Sequence, residues 1–133
     1  MRIAPASASD RDAAVELWHA AELTRPWNDP CADFDLASQG TASDVLLARD
    51  GETLIGSVMV GFDGHRGWVY YLAVAPSRQS QGIGRALMQA AEEWLKARSC
   101  PKIQLMVRTD NESAKGFYAA IGYDEQADVA IGR

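Results

Sequence analysis

The residues whose types and spacing most directly suggest chemistry are Gln79, Gly82 and Gly84, in the run Gln79-Ser80-Gln81-Gly82-Ile83-Gly84-Arg85. An apolar run, Trp68 to Ala75, precedes them, and an amphipathic pattern, Ile83 to Leu95, follows. That order reads strand, glycine loop, helix. Glycines let the backbone approach a ligand closely and adopt turns that a Cβ forbids. A helix starting there turns unpaired N–H groups and the positive end of its dipole toward the loop. Such a loop is a natural phosphate cradle. A P-loop does not fit, because no G-x-x-x-x-G-K-[ST] string exists and Arg85 follows the second glycine. A dinucleotide fingerprint does not fit either, because Leu87 stands where a third glycine or alanine is needed. The remaining match is Q/R-x-x-G-x-G/A.

Other reactive side chains form no constellation. His19 and His65 are isolated, with no partner at metal or triad spacing. Cys31 and Cys100 are far apart and lack metal-ligand company, so no metal is expected. With no apolar h-region in Met1-Arg2-Ile3-Ala4-Pro5, the two cysteines are expected as free thiols of a cytoplasmic protein. The 133 residues suit one domain, and no apolar stretch reaches membrane-spanning length. A net charge of −5 argues against nucleic-acid binding and is compatible with a cationic substrate.

The elements that must position the loop follow from periodicity. Arg2 to Ala6 reads as a strand. Ser9-Asp10 can cap a helix in which Ala14, Leu17, Trp18 and Ala21 recur at helical spacing. Pro26 and Pro30 bracket a break before a second helix, Cys31 to Gln39, ended by Gly40. Ser43 to Arg49 and Thr53 to Phe62 read as strands joined by Asp50-Gly51. Asp63-Gly64-His65-Arg66-Gly67 turns the chain into the strand Trp68 to Ala75. The central helix keeps Ile83, Ala86, Leu87, Ala90, Ala91, Trp94 and Leu95 on one face. Lys102 to Arg108 is a further strand. A last helix carries Ala114, Phe117, Tyr118 and Ile121, stops at Gly122, and leads into a short hairpin from Tyr123. Three successive strands would pair antiparallel, and the strand–helix–strand unit from 68 to 108 demands a parallel pair. The expectation is one mixed α/β domain spanning 1–133, a mostly antiparallel sheet flanked by helices.

The glycine loop in this setting, Tyr70-Tyr71-Leu72-Ala73-Val74-Ala75-Pro76 before it and Ala86-Leu87-Met88 after it, resembles that of the GCN5-related N-acetyltransferase (GNAT) family. The resemblance extends to Asn111-Glu112-Ser113-Ala114-Lys115-Gly116-Phe117-Tyr118-Ala119-Ala120-Ile121-Gly122-Tyr123, similar to that family's closing N-x-x-A-x-x-F-Y-x-x-x-G-[FY] signature. Within the family the chain is most similar to the small bacterial YpeA-type proteins, through Leu23-Thr24-Arg25-Pro26-Trp27-Asn28-Asp29-Pro30, Asp63-Gly64-His65-Arg66-Gly67 and Cys100-Pro101-Lys102-Ile103-Gln104.

The resemblance implies acetyl transfer from acetyl-CoA to an amine by direct attack. It implies that the strand before the loop splays from its parallel neighbour and that backbone around Leu72 and Val74 pairs with the pantetheine arm. A peptide N–H there would bond the thioester oxygen. Cofactor contacts are implied for Gln79, Gln81, Gly82, Ile83, Gly84 and Arg85 in the loop, and for Asn111 and Phe117 in the closing signature. Gln79 replaces the arginine often found at its position, which removes one positive charge. Asn111 is equally placed to cap its own helix, and Arg85 is open to a solvated role. Tyr118 matches the family's tyrosine that returns a proton to the departing thiolate, and its spacing also fits core packing.

The base is not legible. A lysine-like amine is neutral in only about one molecule in 2,500 at pH 7, an α-amine in roughly one in ten. The strand Trp68 to Ala75 has no acid. Glu22, Asp29 or Asp33 could act through water. Asp29, Asp33 and Asp35 near Trp27 form either an acidic, aromatic acceptor rim or a solvated helix face. A homodimer could form through exposed tryptophans or the last strand. The competing function is an acyl-CoA-binding module that does not turn over, serving as a sensor or partner subunit.

Overall fold

Strand β2 (Ser43–Asp50) alternates its side chains between two cores: Val45 and Leu47 point one way, Leu46 and Ala48 the other. A strand buried on both faces needs helices on both faces. The computed structural model describes residues 1–133 and supplies them. Helices α1 (Arg11–Ala20) and α2 (Pro30–Gln39) enclose a core of Ala14, Leu17, Trp18 and Phe34. Helices α3 (Ile83–Lys96) and α4 (Glu112–Ala120) cover the other face. The sheet runs β1 (Arg2–Pro5), β2, β3 (Thr53–Phe62), β4 (Gly67–Val74) and β5 (Ile103–Gln104), adjacent in that order. The first four pair antiparallel, and β4 pairs with β5 in parallel. The mixed fold is as expected.

Helix α3 buries Ile83, Leu87, Met88, Ala91 and Leu95. Each large side chain among them contributes about 1.5–3 kcal/mol by leaving water. Met88 was absent from the expected face; its neighbours Leu87 and Ala91 widen the stripe enough to take it in. The Asp50-Gly51 turn forms as expected, with Gly51 at φ +60° and Asp50 paired to Thr53.

Several element ends shift by one residue, and three differences go beyond that. Asp10 holds the N-cap position of the first helix, but its side chain makes no capping bond there. Ser7 precedes a 3₁₀ turn, Ala8–Asp10, and its N–H donates to Asp10 Oδ2 at 2.8 Å; α1 begins only at Arg11. The strand expected from Lys102 to Arg108 is reduced to Ile103–Gln104, because Leu105 onward diverges from β4 and has no ladder partner. The final hairpin from Tyr123 does not form: residues 123–133 contain no strand. That stretch carries Asp124, Glu125 and Asp128, like charges that disfavour a ladder.

Candidate active site

Strand β4 contains the decisive local feature. Ser57 of β3 faces Ala73, yet Met59 faces Tyr70, so Tyr71 and Leu72 together oppose Val58. This is a β-bulge. Tyr71 sits at φ +51°, a left-handed conformation that costs a non-glycine residue about 1–3 kcal/mol. The bulge flips side-chain parity. Val69 lies on the α3 side, and beyond the bulge Leu72 and Val74 lie there too, while Tyr71, Ala73 and Ala75 join the α1–α2 core.

Named contacts offset the strain. The Ser57 hydroxyl, fully buried, donates to the Tyr71 carbonyl at 2.9 Å and accepts from Trp18 Nε1 at 2.9 Å. The Trp18 and Tyr71 rings stack at 3.9 Å. The Tyr71 hydroxyl donates to Asp33 Oδ2 at 2.7 Å, and burial, with that carboxylate second, pushes the phenol well above its ordinary range.

On its other edge β4 pairs with β5 only at Gly67 and Trp68. Past that point the two segments separate, and a cleft of about 240 Å³ opens between Val69–Leu72 and Leu105–Arg108. Ala114 and Tyr118 of α4 close it with Asn111 just before that helix, and Leu23 and Arg25 close it from the α1–α2 connection. Backbone of β4 facing the cleft has no strand partner. Tyr118 is half-buried, and desolvation alone pushes its phenol up to about 12. It therefore stays protonated at neutral pH and makes no hydrogen bond within the protein.

The glycine loop adjoins this cleft. Ser80 at φ +64° and Gly82 at φ +79° bend the chain so that α3 starts abruptly. The backbone N–H groups of Gln81 to Arg85 donate to no other protein group. The two glycines serve different ends. Gly82 has open space around it and is required by its backbone angle. A Cβ at Gly84 would press on the Phe117 ring at 3.3 Å and lie 3.7 Å from Val74 Cγ2, so that glycine lets α4 seat against the start of α3. Phe117 in turn meets Tyr118 edge-on at 5.1 Å. Loop and cleft are thus joined through Phe117.

A second cavity, about 570 Å³, lies on the α2 side and shares Leu23, Tyr70 and Tyr71 with the cleft. Asn28, Asp33, Leu36, Ser43 and Met59 complete most of its wall. The exposed large apolar residues away from the termini are Trp27, Leu36, Tyr70 and Met106. Leu36 and Tyr70 line this cavity, Met106 the cleft, and Trp27 lies 5.4 Å from the guanidinium of the cleft residue Arg108. Exposed apolar surface is therefore gathered where ligands would enter.

The sequence profile of the acetyltransferase (GNAT) family matches residues 12–123. The chain belongs to the acetyltransferase (GNAT) family. An acetyltransferase of Pectobacterium atrosepticum is 41% identical over 124 residues, covering 93% of this chain and 88% of that protein. Among solved structures, the ribosomal-protein-S18-alanine N-acetyltransferase of Escherichia coli superposes with a TM-score of 0.81 at 24% identity, covering 94% of this chain and 78% of the other. AAC(6')-Iy in complex with the bisubstrate analogue CoA-S-monomethyl-acetylneamine superposes at 0.85 and 16% identity, covering 99% and 96%. At such identities the likeness establishes the fold. No helix is long and apolar enough to cross a membrane.

With this GNAT chain folded, the expected residues separate. Leu72, Asn111 and Tyr118 line the cleft. Asn111 Oδ1 caps α4 by accepting from Ala114 N at 3.1 Å, which leaves its amide NH₂ without a protein partner. Val74 and Phe117 pack at the loop end of the cleft, and Gln79, Gln81 and Arg85 are exposed around it. The Ile83 side chain is buried in the α3 core, so only its N–H can serve a ligand. The acidic rim does not assemble. Asp29 caps α2 through Ala32 N, and Asp35 pairs with Arg11 at 3.2 Å. Glu22 is exposed at φ +61°, and only Asp33 reaches the second cavity. Trp27 is the one exposed tryptophan. Sequence reasoning missed Tyr71, Ser57 and Trp18 as site-building residues. The available signal was Ser57, a lone hydroxyl inside the apolar strand Ile55 to Val60. A left-handed tyrosine leaves no mark in sequence.

Proposed function

We propose that this protein transfers the acetyl group of acetyl-CoA to a primary amine by direct attack. The observation that carries the reading is the unpaired edge of β4, which opens onto a cleft lined by Tyr118 and flanked by the free amides of Gln81 to Arg85. Those features fit the two ends of the cosubstrate. The free amides and the α3 dipole suit a pyrophosphate. The β4 edge around Leu72 and Val74 suits an amide-bearing arm that hydrogen-bonds like a strand.

Acetyl-CoA supplies an activated thioester at the end of that arm. An N–C bond forms to the amine nitrogen and the C–S bond breaks. A peptide N–H at the bulge, held by the Ser57 and Asp33 contacts, binds the carbonyl oxygen as its charge grows. Tyr118 gives its hydroxyl proton to the departing sulfur. Burial raises phenol and thiol alike, since both are anionic when deprotonated, so a high phenol pKa keeps the proton in place without forbidding its transfer. The amine's proton leaves to water, and Tyr118 regains one from solvent. Asn111 and Phe117 support the cosubstrate side, the first through its amide NH₂, the second by seating α4 on the loop. Arg25 and Arg108 add positive charge at the cleft that Gln79 does not provide.

The test pairs thermal denaturation with thiol release. Acetyl-CoA and CoA should raise the melting temperature, by about 2.7 kcal/mol of stabilisation at a hundredfold excess over Kd, whereas ATP and NADH should not. Thiol release should then depend on an added amine. Stabilisation without release from any amine would favour the acyl-CoA-binding module, and a shift with ATP or NADH instead would end the acetyl-CoA reading.

A further inference from the structure

We propose that the acceptor is an amine with a second cationic group, an α,ω-diamine in its simplest form, whose non-reacting ammonium is held by Asp33. This rests on the acetyl-transfer reading above. Cleft and second cavity meet at Leu23, Tyr70 and Tyr71, so transfer between them takes place at that junction. Asp33 is the only charged residue lining the second cavity, and it does not line the cleft. The Tyr71 side chain separates the two positions: its backbone belongs to the bulge, and its hydroxyl reaches Asp33 Oδ2 at 2.7 Å. A cation at Asp33 therefore lies about the length of a tyrosine side chain away from the reacting carbonyl.

Chemistry forbids that cation from being the nucleophile. The attacking nitrogen must be neutral, and a carboxylate contact stabilises the ammonium form. One substrate thus places two nitrogens in two environments: a neutral one at the junction, and a charged one at Asp33. Tyr71 occupies Oδ2, and no protein group donates to Oδ1, which leaves an acceptor for an N⁺–H donor. Asn28 and Ser43 add neutral polar groups to the same wall. Leu23, Leu36, Met59 and Tyr70 offer apolar surface for the methylene chain between the nitrogens. A cavity with one carboxylate and an apolar span reads one charge and one spacer, rather than a polycation.

The experiment measures acetyl-CoA-dependent thiol release with 1,4-diaminobutane and 1,5-diaminopentane against n-butylamine and n-pentylamine, in wild type and in Asp33→Asn. Asparagine keeps an oxygen for the Tyr71 hydroxyl while removing the charge. The wild type should favour the diamines by at least about tenfold in kcat/KM, the effect of one charge-assisted hydrogen bond. In Asp33→Asn that ratio should fall to near one, and the diamine KM should lose its dependence on salt. An unchanged melting shift with acetyl-CoA reports that the variant is folded. Equal use of diamine and monoamine by the wild type, or a preference that survives Asp33→Asn, overturns the proposal. So does failure to acetylate any of the four amines while acetyl-CoA still binds, which leaves the cosubstrate reading standing. Failure of acetyl-CoA to shift the melting temperature overturns both.

Discussion

The cleft beside β4 and the cavity beneath α2 share a wall but are built from different material. The cleft is largely main chain: an unpaired strand edge, the amides of Gln81 to Arg85, and the backbone angle of Gly82. Its side chains Leu72 and Val74 need only be apolar. The cavity is made of side chains brought from the 23–28 connection, α2, β2, β3 and β4. A backbone site constrains sequence through glycine placement and helix start, so it can be recognised in a short string. A side-chain site accepts many residue combinations and tunes specificity by exchanging them. The bulge at Tyr71 belongs to both, because its backbone faces the cleft and its hydroxyl reaches the cavity.

The contrast is best broken at Tyr118, the one cleft side chain given a chemical task. Tyr118→Phe should lower kcat by at least about 100-fold with acetyl-CoA affinity nearly unchanged; single-turnover kinetics alongside ligand titration would separate the two, and an unaltered kcat would remove Tyr118 from the mechanism. Next comes the shared wall. Ser57→Ala leaves the buried Trp18 indole N–H and the Tyr71 carbonyl without their partner, which should cost about 1–3 kcal/mol of stability. Because the bulge serves both sides, urea denaturation should show that loss together with reduced kcat; lost stability with normal kcat would separate the bulge from catalysis. On the cleft side alone, Gly82→Ala forces alanine to φ +79°, a strain of about 1–2 kcal/mol. Isothermal titration should show acetyl-CoA binding weakened by about tenfold, with the diamine preference intact; an altered preference would mean the two sites are not separately built.

Smaller effects sharpen the picture at the periphery. The Tyr118 phenol is raised from its ordinary value near 10 to about 12, and Tyr71 and Tyr123 are raised as well. Between those values the unfolded chain has released a proton that the folded chain keeps. Stability is therefore fully present below pH 10 and falls as pH rises toward 12. Urea midpoints at pH 8, 10 and 11 should decline in that order, less steeply in Tyr118→Phe. The smallest effect is expected at Arg78, whose partly exposed pair with Asp50 at 2.9 Å ties the chain before the loop to the β2–β3 turn. Arg78→Ala should cost less than about 1 kcal/mol by thermal denaturation; a larger loss would make that tie part of the loop's architecture.

Much of this protein was legible in its sequence because the relevant signals are local. Gly82 and Gly84 before the amphipathic run announced a helix start open to anions, and the closing Phe117-Tyr118 signature pointed to the residues that meet it. The succession of strands and the Ile83 to Leu95 face announced a sheet flanked by helices. Tertiary structure decided what local pattern cannot encode. It shortened the strand after Pro101 to two paired residues, since pairing depends on where the partner runs, and that divergence is what opens the cleft. It reversed side-chain parity at Tyr71, invisible in a continuous apolar run where either face would be buried. It also sorted the acids: Asp29 to a cap, Asp35 to Arg11, and Asp33 alone to the cavity. Spacing places side chains on a helix, but only packing of that helix against the sheet determines which of them a ligand can reach.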